Sequence, residues 1–559
     1  MYSFLMTEFR SDVSSNRWSR TNQSYRACAL NIALAISGLP ANAATIDLIG
    51  TDTEIADLAG NDTITNSGPG DAAVVVTGSA STTFSGTIAD GSAQTGLTLR
   101  KDTNSTGLTL TGTNSYSGDT TLEAGELSFG SAASLGSGSV ILAGGDLRSL
   151  STAILANRLT FGAAAGSLIA DDGTTLTLTG TYENFGNAVF GEAGNSGTID
   201  LAASSFVVPS FSTATIAGGT VRTANAQNGA SAFSMGAGVT IEADGTLEMD
   251  GFDVNVTDLA GSGTIVNSAP VAAVLTESGT DSTEFSGAIA GGAAPVNFTL
   301  NKTDINDTLT LSGQNSFGDT RILRGTLRTS GTTELGDTFV GAEGALMMDR
   351  GANAGSIQTN GALVASGGNS FSGNVSIGAG GSLTIVDGAV AGNVANRGLL
   401  TASGQTTFSG DVSIDGVFNV GAGLTTIGGD LSTGLLSFEF GGITDGTFAR
   451  LDIADDLFIG GVIDFDIVAG LTLGKGQLFD IITVGGGVLG QFAGLGEGAL
   501  IEGFSEDVFI TYKAGDGNDI ALFTSDGPPA HVPLPASVPV LLTGLGALAW
   551  IGRRRSQTF

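Results

Sequence analysis

The feature that most constrains the fold of this chain is a stretch that occurs twice. Asp57-Leu58-Ala59-Gly60 returns as Asp258-Leu259-Ala260-Gly261, 201 residues further on. Phe84-Ser85-Gly86 and Phe285-Ser286-Gly287 keep the same offset of 201, as do Leu108-Thr109-Leu110 and Leu309-Thr310-Leu311. After a one-residue deletion, Gly118-Asp119-Thr120 meets Gly318-Asp319-Thr320 and Gly125-Glu126-Leu127 meets Gly325-Thr326-Leu327, both 200 apart. A unit of about 70 residues is therefore present twice. Weaker echoes follow at Phe371-Ser372-Gly373 and Phe408-Ser409-Gly410.

From Ala44 onward, short runs of Thr, Val, Leu, Ile and Phe are broken every few residues by Gly, Asn, Asp or Ser. Such alternation predicts many short strands and no long helix. A unit this short cannot bury its own apolar face, so successive coils must stack into one continuous core, with glycine and asparagine at corners where positive φ is required. At about 20 residues per coil, stacking is expected to about residue 430, and the whole mature body should form a rod on the order of 100 Å long.

Leu108 to Leu127, reading LTLTGTNSYSGDTTLEAGEL, resembles the autotransporter-associated β-strand repeat. The copy from Leu309 to Leu327 departs from it by lacking the serine before Gly318 and by carrying Arg321 and Arg324. The resemblance implies an all-β right-handed parallel β-helix, a β-solenoid, spanning 44–430. Residues 431–523 hold 10 of the chain's 29 phenylalanines and are expected to form wider coils or a β cap over the open end. The stretch from Leu478 to Phe523 is similar to the segment preceding the barrel in autotransporters, although no barrel is expected here. A Gly/Pro linker follows at 524–531.

The two ends carry addresses. Arg10, Arg17, Arg20 and Arg26 precede an apolar run from Ala27 to Leu39, and Ala41 and Ala43 give the small-x-small pattern of a signal-peptidase site before Ala44. Residues 1–43 are thus an expected signal peptide, with translation starting at Met1 or Met6. Residues 532–559 begin with Val532-Pro533-Leu534-Pro535-Ala536, continue through an apolar segment and end in a basic stop at Arg553-Arg554-Arg555. This tail resembles the VPLPA variant of the PEP-CTERM sorting signal, which implies processing by an exosortase-type membrane protease of a Gram-negative bacterium and delivery to the cell surface or extracellular matrix. From Ala536 to Gly552 is 17 residues, a helix of roughly 26 Å, just short of a bilayer core of about 30 Å and barely able to span it as a single transmembrane helix. The arginines place its C-terminal end in the cytoplasm.

Composition excludes much else. A formal net charge of -33 argues against nucleic acid as a partner. The single Cys and His and both Trp, at Cys28, His531, Trp18 and Trp550, all lie in the terminal segments. The body therefore offers no thiolate nucleophile, imidazole base or ordinary zinc site. Asp464 and Asp466 flank Phe465 on a predicted strand, about 6.5 to 7 Å apart, within reach of the spacing of inverting glycosidases, but a solvated outer face explains them more simply. Gly515-Asp516-Gly517-Asn518-Asp519 is similar to a calcium-binding nonapeptide, yet one copy out of phase reads better as a turn into a final strand. Lys101, Lys302, Lys475 and Lys513 are the only lysines, and none sits in a phosphate-cradling loop. No catalytic residue, metal site or cofactor is assigned. The expected function is a non-enzymatic surface or matrix protein touching exopolysaccharide or another surface ligand. The alternative is a polysaccharide lyase or hydrolase, which would need acids clustered with Lys, Arg or Tyr on adjacent coils.

Overall fold

The computed structural model describes residues 44–525 except 185, 203–205, 208–212, 224–232 and 236–237. Within them the chain is an all-β parallel β-solenoid of about 18 turns with almost no helix. Three strands recur per turn. Ala352–Ala354, Ile357–Thr359 and Ala362–Ser366 are followed one turn later by Ser370–Phe371, Val375–Ile377 and Ser382–Val386, each parallel to its predecessor. Three sheets thus run along one axis and enclose a single core. The two-residue strand period decides what enters it: Val375 and Ile377 are buried while Ser376 between them is exposed. At a strand spacing of about 4.8 Å, about 18 turns make a rod of roughly 85 Å.

The repeated Phe-Ser-Gly triplet is a corner device. Phe84, Phe285, Phe371 and Phe408 are fully buried. The hydroxyls of Ser85, Ser286 and Ser372 donate to carbonyls of the preceding turn, on Gly60 (3.1 Å), Gly261 (3.2 Å) and Ala354 (3.3 Å). Positive φ is the reason for glycine at Gly60 (φ 94°) and Gly261 (φ 110°). Gly86 and Gly287 are required for a different reason: a Cβ on either would stand 1.9 Å from a carbonyl oxygen of the turn below, that of Asp62 or Gly263.

Val375, Val394 and Val412 stack at intervals of 19 and 18 residues. The turns then widen, with Leu431 beside Leu457 and Leu457 beside Val488, intervals of 26 and 31. The wider turns are filled by rings, Phe440 lying 5.2, 5.1 and 5.3 Å from Phe448, Phe479 and Phe504. Parallel pairing therefore continues beyond residue 430, through Leu457–Ile467 to Leu478–Val484 and Val488–Leu489. Antiparallel pairing begins with Leu478–Val484, which is covered by Asp519–Thr524, itself paired with Val508–Ala514. The phenylalanine-rich stretch from 431 thus marks wider coils first and a closing antiparallel layer second.

Among the described residues no helix is long and apolar enough to cross a membrane. The segment expected to do so, Ala536 to Gly552, lies outside them, as do the signal peptide at 1–43 and the tail at 532–559.

Candidate functional site

The sequence-predicted address residues Ala41, Ala43, Val532, Pro533, Leu534, Pro535, Ala536, Arg553, Arg554 and Arg555 lie outside the described residues. Ala44 opens the first turn, its N–H donating to Asp62 Oδ1 at 2.8 Å. Asp464 and Asp466 are exposed on Leu457–Ile467, with Ile463, Phe465 and Ile467 turned against the core. The Gly515–Asp519 stretch forms the turn between the last two antiparallel strands. There the Asp519 carboxylate accepts the Val484 N–H (2.9 Å) and the Asn518 amide donates to the Val484 carbonyl (3.0 Å). Among the described residues no group of three or more acidic, His or Cys side chains is arranged to hold a metal ion.

Two lateral surfaces gather chemistry-bearing side chains. On the first, Arg148 on Asp146–Ser149 donates to carboxylates on both sides of its own turn: Nε to Glu126 (2.8 Å), Nη1 to Asp171 (2.9 Å) and Nη2 to Glu192 (2.7 Å). These pairs stabilise the guanidinium's charge and raise its pKa despite partial burial. Arg148, Asp171, Asp172 and Glu192 line an open depression of about 350 Å³ carrying excess negative charge.

The second surface begins at the end of the repeat's second copy and continues over the turns that follow it. Arg321, Phe339, Gln358 and Ser376 occupy successive turns in one outward-facing column. The Arg321 guanidinium sits 5.9 Å from the centre of the Phe339 ring. Among the described residues Arg321 has no carboxylate partner, so its charge is offered to solvent. These side chains, with Asp319, Asp337 and Asn374, line a shallow groove of about 440 Å³. A neighbouring hollow shares Gln358 and Ser376 and extends to Arg397. The groove therefore runs along the rod, offering an apolar ring, a free cation and planar amides in sequence.

A third constellation is internal. Lys101 and Lys302 stand 201 residues apart, the offset of the repeated motif, and both side chains are fully buried. Each reaches the aspartate that opens that motif: Lys101 Nζ lies 3.0 Å from Asp57 Oδ1, and Lys302 Nζ 3.1 Å from Asp258 Oδ1. Asp57 (φ 52°) and Asp258 (φ 49°) adopt the left-handed conformation that turns their side chains inward. Gly125 and Gly325, at positive φ, let the lysine stems pass, since a Cβ on either would be 2.7 Å from the lysine Cβ. The second copy adds a carboxyl beside the lysine. Lys302 also donates to Glu277 (2.7 Å), where the first copy has Val76. Burial pushes the Glu277 carboxyl up to about 7, against the downward pull of Lys302. The shared offset of the two lysines was the sequence signal for this site, but nothing in the spacing says that they point inward.

No protein-family model matches the chain, and no curated protein matches it in sequence. The class that the fold defines is that of parallel β-solenoids, a scaffold that serves enzymes and non-enzymes alike.

Proposed function

We propose that the protein is an exported structural rod, an adhesin-like component of the cell surface or extracellular matrix. In this reading the coil is right-handed, residues 1–43 direct export, and an exosortase-type protease sorts the chain through the tail at 532–559. The observation that carries the adhesive part is the groove from Asp319 to Arg397, continuous over several turns on a rigid support. Its mixture of a ring face, unpaired arginine and amides suits an extended glycan, which stacks a sugar face on the aromatic ring and accepts hydrogen bonds from the polar groups. Envelope and medium fractions should show mislocalised protein after deletion of residues 532 to 559. Unchanged surface delivery would refute the sorting role.

The alternative, a polysaccharide lyase or hydrolase, draws on Arg148 and its acids, which lie on adjacent coils. All three nitrogen positions of that guanidinium are occupied by carboxylates, so substrate would have to displace an ion pair to use it. New reducing or unsaturated ends released from acidic or neutral polysaccharides by the purified protein, and lost in Arg148→Ala, would favour this reading.

A further inference from the structure

The second repeat copy holds a nucleophile, an acceptor and a proton carrier together, with the nucleophile and the proton carrier fully buried. Lys302 Nζ makes three hydrogen bonds, to Glu277 Oε1 (2.7 Å), the Asp281 carbonyl (2.8 Å) and Asp258 Oδ1 (3.1 Å). The Lys302 and Glu277 side chains are fully buried and that of Asp258 is 12% exposed. Leu259, Leu275 and Leu300 nearby in the chain belong to the same dry core. We infer that Lys302 and Asp258 are joined by an intramolecular amide bond, formed in the folded rod with Glu277 carrying the proton.

The balance closes without any further reagent. The Lys302 ammonium passes a proton to Glu277, and the free Nζ electron pair attacks the Asp258 carboxyl carbon, forming the C–N bond. The backbone N–H of Asp281, 3.0 Å from Asp258 Oδ1, is placed to stabilise the charge that develops on that oxygen. The nitrogen gives up a second proton as the adduct collapses, and Glu277 relays both protons in turn to the departing oxygen, which leaves as water when the C–O bond breaks. One ammonium and one carboxylate become one amide and one water. A carboxyl suited to relaying a proton near neutrality is what burial makes of Glu277. Its Oε2 is buried without a hydrogen-bond partner, leaving it available to exchange the proton with the reacting groups.

Packing holds the reactants together. A Cβ on Gly279 would lie 2.1 Å from Asp258 Oδ1, and one on Gly325 2.7 Å from the Lys302 Cβ, so the carboxyl and the lysine stem are each pressed into place by a glycine. The first copy is an internal control. Lys101 meets Asp57, but its other acceptors are the carbonyls of Thr77 (3.2 Å) and Ala80 (2.8 Å), with no second carboxyl within reach. One bond is expected, not two. The inference stands independently of where the rod is displayed.

The test is mass spectrometry of the denatured full-length protein. A glutamyl endopeptidase cuts after Glu248, Glu277, Glu284 and Glu334, placing Asp258 in 249–277 and Lys302 in 285–334. Wild type should yield these two segments as one branched species, lighter than their sum by one water, about 18 Da, with fragmentation locating the link at Lys302 and Asp258. Glu277→Gln, which also removes the cut after 277, should release 249–284 and 285–334 as separate peptides of full mass. Glu277→Val, which copies Val76 of the first repeat and so keeps a side chain that this fold already accommodates, should do the same. Two full-mass peptides from folded wild type would overturn the proposal. A branched species surviving in Glu277→Val, or an equal link between Lys101 and Asp57, would overturn the role of Glu277.

Discussion

At the residue scale, stability rests on a few polar side chains taken inside. Asn66 and Asn267, again 201 residues apart, are buried and make matching bonds: each Oδ1 accepts the N–H of a left-handed glycine, Gly50 (2.7 Å) or Gly251 (2.9 Å), and each Nδ2 donates to a carbonyl, that of Gly70 or Val271, at 2.8 Å. Asn267→Ala strands both partners, so a loss of about 2–4 kcal/mol is expected in urea unfolding. Glu277 makes a prediction of the other kind. Its pKa in the folded chain, about 7, lies above its ordinary value of 4.5, so its contribution to stability is complete at low pH and is lost as pH rises through about 7. Glu277→Val should remove that dependence. The variant's stability relative to wild type should therefore climb by on the order of 2–3 kcal/mol between about pH 5 and about pH 8. Thermal melts across that range would measure the slope, and equal slopes in both proteins would contradict the assignment.

At the element scale, the corner sets the stacking distance. Gly287→Ala would push a methyl group against the Gly263 carbonyl at 1.9 Å, and the turns cannot separate without breaking ladder hydrogen bonds. Gly494, with φ 80° and nothing near its Cβ position, faces only backbone strain on substitution. Gly287→Ala should therefore cost more than about 3 kcal/mol and Gly494→Ala about 1–2 kcal/mol, an order that urea midpoints would reveal. The Phe-Ser-Gly echoes at Phe371 and Phe408 were legible because the same corner is rebuilt wherever a phenylalanine must enter the core beside a close backbone approach. The widening of the turns after 431 was legible only as a change in side-chain size. Where parallel pairing gives way to antiparallel was not legible, because Leu478–Val484 carries both, parallel to Ala449–Ile453 on one edge and antiparallel to Asp519–Thr524 on the other, and composition does not distinguish the two edges.

At the scale of the whole molecule, a solenoid has an open end wherever a last strand lacks a neighbour, and here the antiparallel layer of Leu478–Val484, Val508–Ala514 and Asp519–Thr524 covers one. Removing residues 478–525 would expose the Phe440, Phe448 and Phe465 rings together with a row of unpaired strand edges. The truncated rod should self-associate, eluting as oligomers or aggregates in size-exclusion chromatography where the full chain keeps a single smaller species. A truncated chain with unchanged elution would show that the layer is not a cap.

The sequence by itself determined that this chain is built from short stacked strands, since the 201-residue duplication and the two-residue alternation leave little else that can bury so many small apolar segments. The address motifs expected at the two ends rest on the sequence alone, because both lie outside the described residues. Only the tertiary structure decided which polar residues lie inside. Lys101 and Lys302 read only as scarce lysines outside any phosphate-cradling loop until the left-handed turns at Asp57 and Asp258 bring carboxylates from 44 residues away onto their amines. The same holds for Arg148 and for the groove at Arg321. Each is assembled across turns, and contact across turns depends on coil length and register, which vary from 17 to 31 residues along the rod and are fixed by packing rather than by any local motif.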